Sequence, residues 1–171
     1  MKILIAYAGR VGVTAECAEL LKKELAGRDV TLADLNAATP KLGEYDTVVI
    51  GTAIYYGKPE KAVLKFIKEK ANELENRRFA GYVCAAFADR ADEYIEDTFL
   101  PRLRRGAIDC VYFGGELKPE KQKNFLMRAI VRSMRNEITE NGDSDDESIA
   151  RILPEINTSE IAKLADKLKK S

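Results

Sequence analysis

The hydrophobic positions of the chain form short apolar runs that alternate with amphipathic stretches. Residues 3–8 are a continuous apolar run, and their length and continuity predict a strand buried on both faces. Similar runs at residues 30–35, 47–51, 82–87 and 108–113 predict four further strands. Strands that alternate with helices indicate a parallel sheet with helices on both faces and right-handed crossovers.

The amphipathic stretches between these runs have helical spacing. A first helix is predicted from Thr14 to a stop at Gly27, and a second begins at Pro59 and Glu60, residue types suited to a helix start. A third covers about residues 92–100 and restarts at Pro101, and Asn157 with Glu160 has the capping-box spacing of a last helix. The predicted inner faces are Cys17, Ala18, Leu21 and Leu25; Val63, Phe66, Ile67, Ala71 and Leu74; and Ile161, Leu164, Ala165 and Leu168.

The predicted sheet order for such a chain is 2-1-3-4-5, with a ligand site beyond the carboxyl ends of strands one and three. Residues 116–150 depart from the alternation and are interpreted as an insert after strand five. Residues 118–135 of this insert carry six basic side chains and the single acid Glu120, and an acidic stretch follows. If the insert is helical, an apolar face and a basic face lie opposite each other. They consist of Leu126, Met127, Ile130, Val131 and Met134, and of Arg128, Arg132 and Arg135.

Composition excludes several classes of function. The chain has 171 residues, which is the size of one domain, residues 1–171, and its 28 basic side chains balance 28 acidic ones. Zero net charge argues against a nucleic-acid partner. Histidine is absent, which excludes Ser-His-Asp and Cys-His catalysis and His-ligated metals. The isolated residues Cys17, Cys84 and Cys110 are expected to be core residues in a reducing cytoplasm, and no metal site is indicated.

Three loops at the carboxyl ends of the predicted strands are the candidate site. The first loop, residues 8–14, contains two glycines, so its backbone N–H groups and the Thr14 hydroxyl can converge on a phosphate. A plain strand-to-helix turn explains this loop equally well. The second loop, residues 53–57, places Tyr55 and Tyr56 at a cleft, where they can stack on a planar ring or pack into the core. The third loop, residues 87–90, borders the same cleft or simply leads into a helix. The candidate residues are Ala8, Gly9, Arg10, Val11, Gly12, Val13 and Thr14; Ala53, Ile54, Tyr55, Tyr56 and Gly57; and Phe87, Ala88, Asp89 and Arg90.

These motifs together resemble a known family. Residues 3–7, 12–14 and 48–57 are similar to the flavodoxin family, whose fold is a three-layer α/β sandwich and whose members bind FMN without covalent attachment. Residues 54–57, the helix around residues 63–66, and residues 114–117 leading into the basic insert resemble the menaquinone-dependent protoporphyrinogen IX dehydrogenase branch.

The resemblance implies a role for each loop. The first loop would hold the FMN phosphate, the loop at residues 55–57 would pack against the isoalloxazine ring, and the loop at residues 87–90 would border its other side. The family usually carries hydroxyl residues where this chain has Ala8, Gly9 and Arg10, so Thr14 is the side-chain hydroxyl that remains. Our hypothesis is that FMN still binds, with the Arg10 charge near the phosphate.

Three functions follow from this interpretation. The first is an FMN-dependent oxidoreductase acting with a quinone, a small-molecule substrate or a redox partner protein, in the cytoplasm or in peripheral contact with a membrane through residues 118–135. The second is a single-electron carrier between proteins, which zero net charge mildly disfavours. The third is a cofactor-free interaction domain, which the altered phosphate loop favours. A phosphate-accepting receiver domain is disfavoured because Tyr7, Ala8, Gly51 and Thr52 stand where it needs acidic residues.

Overall fold

The computed structural model describes residues 1–116, 119, 125–140 and 154–170. The sheet contains β1 (Lys2–Ala8), β2 (Asp29–Asp34), β3 (Thr47–Tyr55), β4 (Lys58–Pro59), β5 (Arg78–Cys84) and β6 (Asp109–Tyr112). The helices are α1 (Val13–Glu24), α2 (Lys61–Glu75), α3 (Ala91–Thr98), α4 (Pro101–Gly106), α5 (Phe125–Glu140) and α6 (Thr158–Lys170).

Five of the strands pair in parallel in the order β2-β1-β3-β5-β6. This is the predicted order 2-1-3-4-5 once the short β4 is set aside. The sequence analysis missed β4, which pairs antiparallel with the end of β3. The strand order reverses at β1 and β3, and Ala8 lies opposite Thr52 in the register between them. The carboxyl ends of these two strands therefore flank the crevice where this topology binds ligands.

Alternate residues of each central strand face opposite sides of the sheet, so two separate cores form. On one side Ile3, Ile5 and Val49 pack with the buried faces of α1 and α6. On the other side Leu4, Val48 and Ile50 pack with α2, α3 and α4. The predicted inner faces of α1, α2 and α6 are all buried. Helices on both sides of the sheet make the three-layer α/β arrangement expected from the alternation.

Several predicted boundaries were wrong by a few residues. The strand expected at residues 82–87 is β5 and ends at Cys84, so residues 85–87 lie beyond it. Pro59 does not open a helix: it belongs to β4, and α2 begins at Lys61 with Glu60 as its N-cap. Proline is tolerated there because an edge strand leaves one side of its backbone without a partner strand. The Asn157 cap is confirmed, since its side-chain oxygen accepts a hydrogen bond of 3.2 Å from the Glu160 N–H.

The insert is helical where the structure describes it. Val131 of α5 is buried, while Arg128 and Arg132 are exposed and Arg135 is partly exposed, in agreement with the two predicted faces. The side chains of Leu126, Met127, Ile130 and Met134 lie outside the described part of the chain, as do residue 118 and the acidic cluster at residues 143–147.

Candidate functional site

A cavity of about 50 Å³ opens at the carboxyl ends of the central strands. Its walls come from the loop after β1, the end of β3, the start of α2, and the segments after β5 and β6. The lining residues are Arg10, Val11, Val13, Thr14, Ala53, Ile54, Tyr55, Glu60, Cys84, Ala85, Ala86, Gly115, Glu116 and Val131. A single water needs roughly 10–15 Å³ of such space, so the enclosed part of the cavity has room for a group of a few atoms.

Thr14 contributes a hydroxyl to the lining of this cavity. Its side chain is 1% exposed, and its hydroxyl oxygen makes no hydrogen bond of ordinary geometry with the described residues. The Cys84 thiol, a weak hydrogen-bonding group, lies beside it. A buried hydroxyl without a partner costs about 1–3 kcal/mol, so a ligand that bonds to it recovers that free energy.

Two glycines, Gly9 and Gly12, precede Thr14 in the loop after β1. Gly12 is the N-cap of α1, with φ of 89° and no side chain to cap the helix. The N–H groups of a helix's first turn have no partner within the helix, and they carry the positive end of its dipole. A side chain at Gly9 would place its Cβ 2.6 Å from the Thr14 hydroxyl. Glycine at position 9 leaves room at the hydroxyl, and glycine at position 12 adopts the left-handed backbone from which α1 starts without a capping side chain.

Tyr82 fixes the position of this helix turn. Its hydroxyl donates a hydrogen bond of 2.9 Å to the Thr14 carbonyl, and its ring stacks on Phe113 with centroids 4.6 Å apart. The ring crosses Gly51, where a Cβ would lie 2.0 Å from it. Burial raises the pKa of Tyr82 well above its usual value, so the hydroxyl remains a donor. The sheet thus anchors α1 through a fully buried side chain.

Arg10 joins the first loop to α2. Its guanidinium donates two hydrogen bonds to the Glu60 carboxylate, at 2.9 and 3.3 Å, and lies 4.7 Å from the centroid of the Tyr55 ring. Glu60 is 5% exposed, whereas about half of the Arg10 side chain is exposed. The Glu60 backbone N–H also donates to the Thr52 hydroxyl at 3.1 Å. The site therefore contains a buried carboxylate held by an arginine that solvent still reaches.

The second loop is a tight hairpin. Ile54 pairs with Pro59 and Tyr55 with Lys58, so Tyr56 and Gly57 are the two turn residues. Both have positive φ, 50° and 73°, as a type I′ turn requires. For a tyrosine this backbone conformation costs on the order of 1 kcal/mol. Tyr56 is nevertheless 77% exposed and packs edge-on against Tyr55, at 4.7 Å between centroids. Strain at an exposed aromatic beside a cavity indicates a role in binding.

The third loop lies beside the hairpin but outside the cavity lining. Residues 88–90 form a single turn of 3-10 helix that leads into α3. Phe87 is 43% exposed. Arg90 donates to the Glu93 carboxylate at 2.9 and 2.6 Å and lies over the Tyr94 ring. A methyl group added at Gly57 would lie 3.9 Å from the Arg90 guanidinium, which shows that the second and third loops are neighbours.

The structure thus brings together part of the predicted site. Seven predicted residues line the cavity: Arg10, Val11, Val13, Thr14, Ala53, Ile54 and Tyr55. Nine do not line it: Ala8, Gly9, Gly12, Tyr56, Gly57, Phe87, Ala88, Asp89 and Arg90. The sequence analysis missed Glu60, Cys84, Ala85, Ala86, Gly115, Glu116 and Val131. Cys84 is the last residue of β5 and residues 85 and 86 follow it, so a correctly predicted strand end would have placed all three at the site.

Val131 shows that the insert reaches the site. It is 1% exposed and lines the cavity together with residues of the first and second loops. The arginines of α5 lie on other faces of the helix, where Arg128, Arg132 and Arg135 surround a second, open depression with Asn136 and Pro119. The insert therefore presents an apolar side chain to the site and a basic surface elsewhere.

The described residues contain neither a metal-binding cluster nor a membrane-spanning helix. In the part of the chain that the structure describes, no group of three or more cysteine, aspartate or glutamate side chains is arranged to hold a metal ion. Among the same residues, none of the helices combines the length and apolar character needed to span a membrane.

The fold and the site define a doubly wound α/β protein with a glycine-capped helix N-terminus at its switch point. A family model for the flavodoxin domain matches residues 4–146, and the chain belongs to that family. It is 28% identical over 144 residues to protoporphyrinogen IX dehydrogenase [quinone] of Escherichia coli strain K12, which covers 77% of this chain and 80% of the relative.

Solved structures agree on the fold. Oxidised flavodoxin 2 from Bacillus cereus superimposes with a TM-score of 0.55 at 20% identity, covering 99% of both chains. Two-electron reduced Megasphaera elsdenii flavodoxin gives a TM-score of 0.55 at 17% identity, covering 64% of this chain and 84% of that one.

Proposed function

We propose that this protein binds FMN without covalent attachment at the carboxyl edge of the sheet and performs redox chemistry with it. The observation that carries the proposal is the buried Thr14 hydroxyl at the glycine-capped N-terminus of α1, which among the described residues has only the weakly bonding Cys84 thiol beside it. This arrangement suits a phosphate, which accepts hydrogen bonds from both the hydroxyl and the helix N–H groups. It lies at the switch point where flavodoxin-like sheets bind FMN.

The phosphate end of the cofactor belongs in the cavity. Thr14 and the first-turn N–H groups would donate to its oxygens, and the exposed side of the Arg10 guanidinium would add a positive charge nearby. Gly9 and Gly12 would let the backbone approach without contributing side chains. The volume of the cavity matches the phosphate and leaves the ring outside it.

The ring belongs at the hairpin. Tyr56 offers an exposed aromatic face at its tip, and Tyr55 supports that side chain from beside the cavity. Phe87 and the turn at residues 88–90 stand next to the hairpin and would border the other side of the ring. Aromatic stacking of this kind contributes about 0.5–1.5 kcal/mol beyond simple burial.

Bound FMN supplies reversible electron transfer in one- or two-electron steps. The residues of this chain would tune that transfer. The tyrosines of the hairpin would shield one face of the ring from water, and the buried Glu60 carboxylate in the adjoining cavity adds negative charge. Both disfavour additional negative charge on a reduced ring, and they therefore lower its reduction potential.

The partners are a quinone, a small-molecule substrate or a redox protein, the first being favoured by the name of the Escherichia coli relative. Oxidation of a protoporphyrinogen with a quinone as acceptor is the corresponding specific activity.

A single-electron carrier is the second candidate, favoured by the likeness of the fold to flavodoxins. Stepwise anaerobic reduction distinguishes them, because a carrier is reduced in two separated one-electron stages and a two-electron enzyme in one.

Calorimetry of the refolded, cofactor-free protein tests the proposed site. We expect FMN to bind at one site per chain and riboflavin, which lacks the phosphate, to bind at least about tenfold more weakly, since charged hydrogen bonds contribute about 1.5–3 kcal/mol each. Equal affinity for both would show that the cavity does not hold a phosphate. If neither FMN nor riboflavin gives a heat of binding, the protein does not bind the cofactor, and the cofactor-free interaction domain becomes the interpretation.

A further inference from the structure

Two cysteines from distant parts of the sequence meet beside the cavity. Cys17 lies on the inner face of α1, one turn after Thr14, and Cys84 is the last residue of β5. The Cys84 thiol donates to the sulfur of Cys17 at 3.7 Å. Both are free thiols, 0% and 4% exposed. A disulfide requires a sulfur separation of about 2.05 Å, so the two sulfurs need to approach by roughly 1.7 Å.

The two thiols differ in their access to solvent. Cys84 lines the cavity, whereas Cys17 lies behind it and is absent from the lining. The cavity admits groups of a few atoms, which suits a peroxide and excludes bulky thiols. Burial and the neighbouring Cys17 raise the pKa of Cys84 well above its usual value, so little thiolate is present and the reaction is slow.

We propose that Cys17 and Cys84 form a thiol–disulfide couple that is closed by a small hydroperoxide entering through the cavity. The Cys84 sulfur attacks one oxygen of hydrogen peroxide, the O–O bond breaks, and Cys84 becomes a sulfenic acid with release of one water. The Cys17 sulfur then attacks the Cys84 sulfur, the S–O bond breaks, and a second water leaves. In sum, two thiols are oxidised to one disulfide and one peroxide is reduced to two waters.

The crosslink would join two walls of the candidate site. Cys17 follows Thr14 on the same helix, and Cys84 adjoins Ala85 and Ala86, which line the cavity. Moving the two sulfurs together draws the first turns of α1 toward the end of β5. The couple would thereby link the oxidation state of the protein to the shape of its candidate site, and it would form in the flavin-free protein, because a bound phosphate would fill the cavity through which the peroxide enters.

Peptide mapping of the full-length protein tests this couple. The reduced, flavin-free protein is treated with excess hydrogen peroxide, quenched at low pH with a thiol-blocking reagent, and digested without reductant. We expect one crosslinked species that joins the peptides of Cys17 and Cys84, lighter by two hydrogens than their sum and lost on treatment with dithiothreitol. Mapping at the peptide level separates this change from methionine oxidation.

Three variants define the outcome. Cys110→Ser should form the same crosslink, because Cys110 lies on β6 and takes no part in the pair. Cys17→Ser should leave Cys84 carrying added oxygen, and Cys84→Ser should leave Cys17 unmodified. The proposal is overturned if the wild-type peptides stay unlinked, if Cys84 accumulates sulfinic acid while Cys17 is present, or if the crosslink involves Cys110.

Crosslinked wild-type protein should also unfold at a higher urea concentration than reduced protein, which a surface modification would not cause.

Discussion

Thr14 carries a buried hydroxyl that makes no ordinary hydrogen bond within the part of the chain that the structure describes. The structure contains a second such hydroxyl at Thr47, at the start of β3 and therefore at the opposite end of the sheet. Both residues are almost fully buried. They differ in position alone: Thr14 faces the cavity, and Thr47 does not line it. The two threonines make a matched pair for separating ligand binding from stability.

Replacing Thr14 with valine removes the hydroxyl and keeps the shape of the side chain. We expect Thr14→Val to weaken FMN binding about tenfold or more, because a hydrogen bond to a charged phosphate is worth about 1.5–3 kcal/mol. Riboflavin affinity should not change. Thr47→Val is the control and should leave both affinities unchanged. Calorimetry with each ligand measures this, and an equal loss for FMN and riboflavin in Thr14→Val would contradict the assignment of the phosphate.

Tyr56 offers the converse test, because its backbone conformation is strained and its ring is exposed. Asparagine tolerates positive φ, so Tyr56→Asn should raise the free energy of unfolding by a few tenths to about 1 kcal/mol. It should weaken FMN and riboflavin alike, about two- to tenfold, through the lost stacking. Urea unfolding measures the gain in stability, and calorimetry measures the loss in affinity for each ligand. A variant that is more stable and binds both ligands as tightly as the wild type would remove Tyr56 from the ring site.

At the scale of elements, the contact between Arg10 and Glu60 ties the first loop to the start of α2. It also places a carboxylate in a cavity suited to an anion. We expect Glu60→Gln to bind FMN about threefold to tenfold more tightly, because a negative charge is lost and Arg10 becomes free to face the phosphate. Glu75→Gln is the control, since Glu75 pairs with Arg102 and neither residue lines the cavity. Weaker FMN binding in Glu60→Gln would show that the pair positions Arg10 for the ligand.

The elements themselves were largely predictable from hydrophobic spacing. The five parallel strands and the faces of α1, α2 and α6 follow from periodicities that burial alone imposes. The hairpin was missed because its turn residues, Tyr56 and Gly57, lack the asparagine that usually marks a type I′ turn. Glu60 was assigned to the helix dipole, and its role in holding Arg10 depends on a contact fifty positions away in the chain. Val131 reaches the site through the packing of α5, which local spacing does not specify.

At the scale of the whole molecule, the chain is neutral but its insert concentrates positive charge on one surface. Arg128, Arg132 and Arg135 share this surface, on the helix whose Val131 lines the cavity. We expect weak, salt-sensitive binding to vesicles containing anionic lipid, below the roughly 1 kcal/mol per arginine of an unpaired cluster, because Arg128 and Arg135 already interact with other groups of the protein. Sedimentation with anionic and neutral vesicles measures this. Replacing the three arginines with glutamine should abolish sedimentation, and wild-type protein that stays in the supernatant would leave the insert as a helix packed on the domain.

The central claim is that the carboxyl edge of this sheet holds FMN, and the visible absorption spectrum tests it most directly. Purified protein is incubated with excess FMN, desalted, and compared with free FMN. We predict retained flavin bands with an altered shape, because the ring leaves water for an aromatic surface. A colourless protein after desalting would contradict the account and show that a loop with Ala8, Gly9 and Arg10 does not retain the cofactor.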